Sequence, residues 1–167
     1  MAKPRDNLVL IGMPGSGKTV VGQHAAKRLG WAFVDVDQVI EREAGKKLWQ
    51  INAEEGFAGL RRWEQIANLG LRCKQTVIAP GGSVVYSTPA MRHLKRLGRI
   101  LYLNVEPKLL ELRAGDLKLR GVMIRPGMTY AQLIAERDPL YRQWADAVIE
   151  CGEDDPEAVA ARIGLET

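Results

Sequence analysis

The chain has 167 residues with a formal net charge of +4, and 46% of them are hydrophobic and 26% charged. This size and composition predict one globular domain, while the apolar runs are too short for a membrane span and no secretory segment opens the chain. Cys73 and Cys151 lie far apart without metal-binding spacing, and the basic clusters lack the interleaved aromatic residues of a nucleic-acid-binding surface. We therefore expect a reduced, cytoplasmic protein that binds small anions, with no nucleic-acid or membrane partner.

Short apolar runs alternate with helical segments along the whole chain. Such runs suit strands that are covered on both faces, and their alternation with helices predicts an α/β fold with a parallel sheet. The predicted strands are 8–11, 32–36, 76–79, 100–105 and 147–149. The predicted helices are 17–29, 37–44, 56–71, 88–97, 107–113, 129–144 and 155–163.

The first strand leads directly into a glycine-rich loop and the start of a helix. Four residues in it follow the G-x-x-x-x-G-K-[ST] spacing of phosphate-binding loops. Glycines let backbone N–H groups approach phosphate oxygens, the helix start favours an anion, and the lysine adds positive charge. We predict that this loop binds a nucleoside triphosphate, with Thr19 as a ligand of Mg²⁺. The predicted nucleotide-binding residues here are Gly12, Pro14, Gly15, Ser16, Gly17, Lys18, Thr19 and Val20.

Two aspartates follow in the segment F-V-D-V-D, at the end of the second strand. Alternation along a strand would put Asp35 and Asp37 on one side, at the edge where open parallel sheets bind ligands. One carboxylate could reach Mg²⁺ through water, and the other could accept a hydrogen bond from a substrate hydroxyl. The alternative is that Asp37 only caps a helix that begins at Gln38, which would leave Asp35 unexplained.

The helix predicted after Gly56 carries a charged cluster. Arg61 and Glu64 are three residues apart and could form an ion pair that orients the guanidinium. An oriented arginine is suited to a planar carboxylate, which it binds through two parallel hydrogen bonds. A solvated charged helix face is the alternative that these residues leave open.

The segment Pro80-Gly81-Gly82-Ser83 directly follows the third strand. Paired glycines would let a substrate approach the backbone closely, at the same edge of the sheet as the aspartates. An ordinary strand-to-helix turn has the same composition, so the segment alone favours neither interpretation.

Glycine, proline and basic residues are concentrated between residues 114 and 128. This composition predicts a mobile basic lid flanked by hinges. Arg120 could move over the γ-phosphate and stabilise the charge of the transferring group, with Arg125 as its rival in the same loop. Further along the chain, Arg137 could be a second anion clamp or part of a structural ion pair.

Taken together, these motifs resemble the shikimate kinase family, a member of the nucleoside monophosphate kinase-like group. The resemblance rests on G-M-P-G-S-G-K-T, F-V-D-V-D-Q-V-I-E, L-R-R-W-E, P-G-G-S and R-D-P-L-Y-R-Q-W-A-D, in this order along nearly the whole chain. It implies a three-layer P-loop fold with a five-stranded parallel sheet in the order 2-3-1-4-5. It also implies a helical substrate-binding region at about residues 37–64 and a lid at about 114–128, within a single domain of residues 1–167 that we expect to be monomeric.

The resemblance also implies roles for the candidate residues. Arg61 and Arg137 would hold the carboxylate of shikimate, and Gly81 and Gly82 would line its ring. Asp37 would engage the hydroxyls and help to deprotonate one of them. The substrate-binding set is Asp37, Arg61, Gly81, Gly82 and Arg137. Asp35 would support Mg²⁺ through water. The further nucleotide-binding positions are Arg113, Arg120 and Pro156, and the catalytic set is Lys18, Asp37 and Arg120.

Four segments depart from the family pattern. Gly81-Gly82-Ser83 replaces three glycines, residues 56–61 lack the acid and the aromatic of G-E-x-x-F-R, Asn52 stands where Phe is common, and residues 121–123 replace Pro-Leu-Leu. We therefore predict ATP-dependent phosphorylation of the shikimate 3-hydroxyl in chorismate biosynthesis, with gluconate or another hydroxy acid as the alternative acceptor. A nucleotide-binding regulator without phosphoryl transfer is the remaining alternative, and the acidic and basic candidates argue against it.

Overall fold

Five parallel strands form the central sheet. The structure, a computed structural model, describes residues 6–115, 122 and 124–165 of the chain. The strands are β1 (Asn7–Ile11), β2 (Ala32–Asp35), β3 (Thr76–Ala79), β4 (Arg99–Asn104) and β5 (Ala147–Glu150). They pair in parallel in the order β2-β3-β1-β4-β5, which confirms the predicted fold class and strand order.

Seven α-helices and one 3₁₀ helix surround the sheet in the described part of the chain. The α-helices are α1 (Lys18–Leu29), α2 (Val36–Ala44), α3 (Leu48–Gly70), α4 (Thr88–Leu97), α5 (Pro107–Ala114), α6 (Tyr130–Trp144) and α7 (Pro156–Leu165). The 3₁₀ helix is Gly82–Tyr86. None of the described helices combines the length and the apolar character that a membrane span needs.

Local signals explain where most of these helices begin. Pro107 and Pro156 stand at the first residues of α5 and α7, where a missing N–H is not needed. The Thr129 side chain accepts a hydrogen bond from the backbone N–H of Gln132 and so caps α6. All of the predicted strands, and all of the predicted helices except the third, begin and end within two residues of the observed positions.

The core lies on both faces of β1, β3 and β4. Val9, Ile78 and Leu101 are completely buried, as the continuous apolar runs of these strands predict. Outside the sheet, α1 packs against α7 and α3 packs against α4. Strands fixed in this way bring the loops that follow β1, β2 and β3 to one edge of the sheet.

Two details of the prediction were wrong: the placement of Asp37 on the second strand and the start of the third helix. The second strand ends at Asp35, whose Oδ1 accepts a hydrogen bond of 3.3 Å from the backbone N–H of Gln38 and caps α2. Asp37 is therefore in the first turn of a helix rather than on the strand. The third helix begins at Leu48, not at Gly56, because Gly56 (φ 68°, ψ −171°) only interrupts it.

Candidate functional site

A cleft of about 320 Å³ opens where β1, β2 and β3 end. It brings together residues that are far apart in the sequence. Its nucleotide side contains the predicted residues Pro14, Gly15, Gly17, Lys18, Thr19, Val20 and Arg113. Its acceptor side contains Asp37, Gly81, Gly82 and Arg137 from the predicted set, together with Glu64 and Ser83. Asp35 lies between the two sides.

The loop between β1 and α1 has the backbone of an anion cradle. Gly15 (φ 84°) and Gly17 (φ 90°) adopt the left-handed region that glycine enters without strain. The Nζ group of Lys18 donates hydrogen bonds to the carbonyl oxygens of Gly12 at 2.8 Å and Met13 at 3.0 Å. The loop is thus wrapped around the lysine side chain, and the N–H groups that begin α1 are directed at the cleft.

A second cavity of about 280 Å³ continues from the nucleotide side of the cleft. Gly15, Gly17, Val20 and Arg113 line both spaces, and Ser16 and Pro156 line the second one. The buried hydroxyl of Ser16 has no hydrogen-bond partner among the described residues. Arg113 and Pro156, two of the further predicted nucleotide-binding positions, therefore lie together beside the phosphate loop. Gly12 lies behind the loop, where a Cβ would be 2.8 Å from the carbonyl oxygen of Leu103.

Thr19 and Asp35 form a pair of oxygen groups beside the loop. The Thr19 hydroxyl donates a hydrogen bond of 2.8 Å to Asp35 Oδ2. A hydroxyl and one carboxylate next to a phosphate site fit Mg²⁺, which keeps several waters and binds through few protein oxygens. Among the described residues no cluster of three or more histidine, cysteine, aspartate or glutamate side chains could hold a metal by itself.

Asp37 projects from the first turn of α2 into the acceptor side. Its burial, reinforced by the nearby charge of Asp35, raises the pKa of its carboxyl to about 6, although Lys18 opposes the change. Gly81 packs so closely that a Cβ at this position would be 2.7 Å from Asp37 Oδ1. A side chain at residue 81 would therefore displace the carboxylate.

Glu64 makes a different contact from the predicted one. The Ser83 hydroxyl donates to its carboxylate and lies 2.5 Å from Oε1 and 2.6 Å from Oε2. In the described part of the chain no ion pair joins Glu64 to Arg61, so the predicted pair was wrong. Burial raises the pKa of Glu64 to about 7, while the hydrogen bond from Ser83 lowers it. Ser83, rather than the exposed Arg61, is the hydrogen-bond partner of this carboxylate, because Ser83 and Glu64 are both buried and lie side by side.

The two candidate arginines meet at the ring of Tyr86. The Cζ atom of Arg137 is 5.2 Å from the ring centroid and that of Arg61 is 5.4 Å from it. Arg137 is 1% exposed and lines the cleft, whereas Arg61 is exposed and lines an adjoining cavity of about 130 Å³. Glu64 and Ser83 line both spaces, so the cavity and the cleft share a wall.

Helix α6 fixes both sides of the cleft through tyrosines that the sequence analysis missed. The Tyr141 hydroxyl donates to the carbonyl oxygen of Gly82 at 2.6 Å, and the Tyr130 hydroxyl donates to that of Pro14 at 2.5 Å. Burial raises the pKa of Tyr141, so its hydroxyl stays a donor at neutral pH. Only the position of Tyr141 within R-D-P-L-Y, one turn after Arg137, could have indicated it from sequence.

The predicted lid is described only in part. Residues 116–121 and 123, and with them Arg120, lie outside the described residues. Val122 lines the cleft. Arg125, the alternative to Arg120 for the phosphate contact, forms an ion pair with Glu136 of α6.

Comparisons with known proteins agree with this geometry. A family model described as shikimate kinase matches residues 14–166. The chain is 38% identical over 150 residues to the shikimate kinase of Thiobacillus denitrificans, which covers 87% of this chain and 81% of that protein. The solved structure of shikimate kinase from Acinetobacter baumannii in complex with shikimate has a TM-score of 0.90 and 33% identity, and covers 96% of this chain and 92% of that one.

Kinases with other acceptors share the fold only. A gluconokinase from Sinorhizobium meliloti has a TM-score of 0.52 and 14% identity, with 98% of this chain and 97% of that one covered. Likeness at this level of identity reports the arrangement of strands and helices, and it carries no information about the acceptor.

Proposed function

Because the chain belongs to the shikimate kinase family, we propose that it transfers the γ-phosphoryl group of ATP to the 3-hydroxyl of shikimate, a step of chorismate biosynthesis. One observation carries the proposal. A phosphate-binding loop shares its cleft with a buried guanidinium, Arg137, and an acidic side chain, Asp37. A triphosphate and a hydroxylated carboxylic acid would therefore find complementary groups in one space.

The nucleotide would bind along the loop after β1. Backbone N–H groups at the start of α1 would cradle the phosphates, and the base would occupy the second cavity, between Arg113 and Pro156. Lys18 would move from the loop carbonyls to the β- and γ-phosphates, where its charge offsets the charge that develops on transfer. Bound Mg²⁺, held by Thr19 and, through water, by Asp35, would neutralise phosphate charge.

The acceptor would bind across the other side of the cleft. Arg137 and Arg61 would hold its carboxylate, because planar guanidinium groups match that geometry. The ring would lie near Gly81 and Gly82, which line the acceptor side, and whose lack of side chains lets Asp37 and Arg137 approach the backbone closely. Asp37 would accept a hydrogen bond from the hydroxyl that is to be phosphorylated.

Transfer would then depend on positioning and on charge. The acceptor oxygen forms a bond to the γ-phosphorus as the bond to the β–γ bridging oxygen breaks, and ADP leaves with that oxygen. With a pKa of about 6, Asp37 is mostly ionised at neutral pH and can take the hydroxyl proton. As the family resemblance implies, Arg120, which lies outside the described residues, would stabilise the charge of the transferring group.

The enzyme is proposed to act as a monomer in the cytoplasm, where ATP is supplied.

Steady-state assays with a panel of acceptors test the proposal. Purified protein with ATP and Mg²⁺ is offered shikimate, gluconate or no acceptor, ADP is measured, and the product is identified by ³¹P NMR. We expect shikimate alone to stimulate ADP release and to yield the 3-phosphate. Stimulation by gluconate instead would show that the protein is a kinase but that shikimate is not its acceptor. ATP binding without turnover on any acceptor would identify a nucleotide-binding regulator.

A further inference from the structure

Tyr86 occupies the point where two cationic side chains meet. Both Arg61 and Arg137 place Cζ within 5.4 Å of its ring centroid. The face of an aromatic ring carries partial negative charge and attracts cations within about 6 Å. One neutral side chain therefore stabilises two guanidinium groups that repel each other.

The orientation of the Tyr86 ring is fixed by its hydroxyl. It donates a hydrogen bond of 3.0 Å to Glu136 Oε1 and accepts one of 3.3 Å from Arg137 Nε. Glu136 is itself anchored by the ion pair with Arg125. The ring is thus tied to α6 at its outer end and to the 3₁₀ helix at its backbone.

The same contacts orient Arg137 toward the acceptor. Nε donates to the Tyr86 hydroxyl, a side-chain hydrogen bond joins the guanidinium to Tyr141, and Nη1 is 3.1 Å from the place that a Cβ on Gly82 would take. Gly82 lines the acceptor side of the cleft. The guanidinium therefore extends from Tyr86 to the acceptor side, where its planar group is suited to a carboxylate.

We propose that Tyr86 is a positioning residue for the acceptor carboxylate, and that its ring holds Arg61 and Arg137 in the arrangement that binds it. This inference rests on the proposed function. Without this support, a long arginine side chain would become ordered only when the acceptor binds. The entropy lost in ordering it would lower the affinity for the acceptor. Tyr86 lines the adjoining cavity with Arg61 and is not among the residues that line the cleft, so we expect its effect to fall on the KM of the acceptor.

Two substitutions separate the ring from the hydroxyl. In Tyr86→Leu we expect the KM for shikimate to rise about tenfold, with the KM for ATP and kcat within about twofold, because the cation–π contacts are lost. Tyr86→Phe keeps the ring and should raise the same KM only about threefold. The control is Phe33→Leu, an aromatic-to-leucine change where the ring packs against Gly22 of α1, and it should leave both KM values unchanged.

The methyl ester of shikimate provides the decisive comparison, because it lacks the negative charge. Equilibrium binding of acid and ester is measured for wild type and Tyr86→Leu. We expect the variant to lose about tenfold of the affinity for the acid and almost none for the ester. Equal losses for acid and ester, or no loss for either, would overturn the role of Tyr86. Failure of the wild type to bind or phosphorylate shikimate would instead defeat the proposed function itself.

Discussion

The two sides of the cleft are built by different means. The nucleotide side is built mainly on one continuous segment, the loop between β1 and α1, and most of its proposed phosphate contacts come from backbone N–H groups that any triphosphate can use. The acceptor side is assembled from side chains on α2, α3, the 3₁₀ helix and α6, which meet only in the folded protein. Substitutions should therefore act differently: changes on the nucleotide side should impair transfer, whereas changes on the acceptor side should impair recognition of one acid.

The largest effect is expected on the nucleotide side, at Lys18. Replacing it with Met removes the charge that would stabilise the transferring phosphoryl group, so kcat should fall about 10²- to 10³-fold. The KM for shikimate should change less than about twofold if the two sides are independent. The matched control, Lys27→Met, removes an equal charge from the exposed last turn of α1. If the KM for shikimate rose in Lys18→Met by as large a factor as kcat fell, the two sides would not act independently.

Gly81→Ala tests the acceptor side by adding a single methyl group. The backbone of Gly81 (φ −61°, ψ 156°) suits alanine, but the Cβ would be 2.7 Å from Asp37 Oδ1. The displaced carboxylate should lower kcat/KM for shikimate about 10²-fold, and ADP affinity should not change. Gly70→Ala is the control, since a Cβ there has nothing within 4 Å. Full activity in Gly81→Ala would show that Asp37 does not contact the acceptor.

The pH dependence of kcat/KM also distinguishes the two sides, because Asp37, the group expected to titrate, lies on the acceptor side. Burial raises the pKa of Asp37 to about 6, and only the ionised form accepts the hydroxyl proton. As the pH falls below that value, kcat/KM should drop, reaching about a tenfold loss one unit lower. Glu64→Gln should keep this acidic limb, which distinguishes Asp37 from its neighbour. An unchanged rate down to pH 5 would contradict the assignment.

The smallest effect is expected for Ser83→Ala, which removes the hydrogen bond to Glu64. We expect a loss of about 1–2 kcal/mol in the free energy of unfolding. The pKa of Glu64 is raised to about 7, so its protonated form is favoured in the fold, and stability falls as the pH rises through this value. Because the Ser83 bond lowers that pKa, the variant should lose more stability at pH 8 than at pH 5 in urea titrations. Equal losses at both pH values would show that Glu64 keeps one protonation state.

The contrast between the two sides also explains what the sequence could reveal. The phosphate loop and the five strands were predicted correctly because each depends on neighbours in the chain, and proline, glycine and capping residues punctuate them. The ion pair between Arg61 and Glu64 was wrong, because helix spacing shows which side chains can meet but not that Ser83 is closer. The role of Tyr86 was missed for the same reason, because its partners Arg61 and Arg137 lie on two helices, α3 and α6, that are far apart in the sequence.

A crystal structure of the protein with ADP, Mg²⁺ and shikimate tests the central claim most directly. We expect the shikimate carboxylate within hydrogen-bond distance of the Arg137 and Arg61 guanidinium groups, with the 3-hydroxyl at Asp37 and facing the phosphate loop. A carboxylate bound at Lys18 instead, with Arg137 and Tyr86 remote from the ligand, would contradict it.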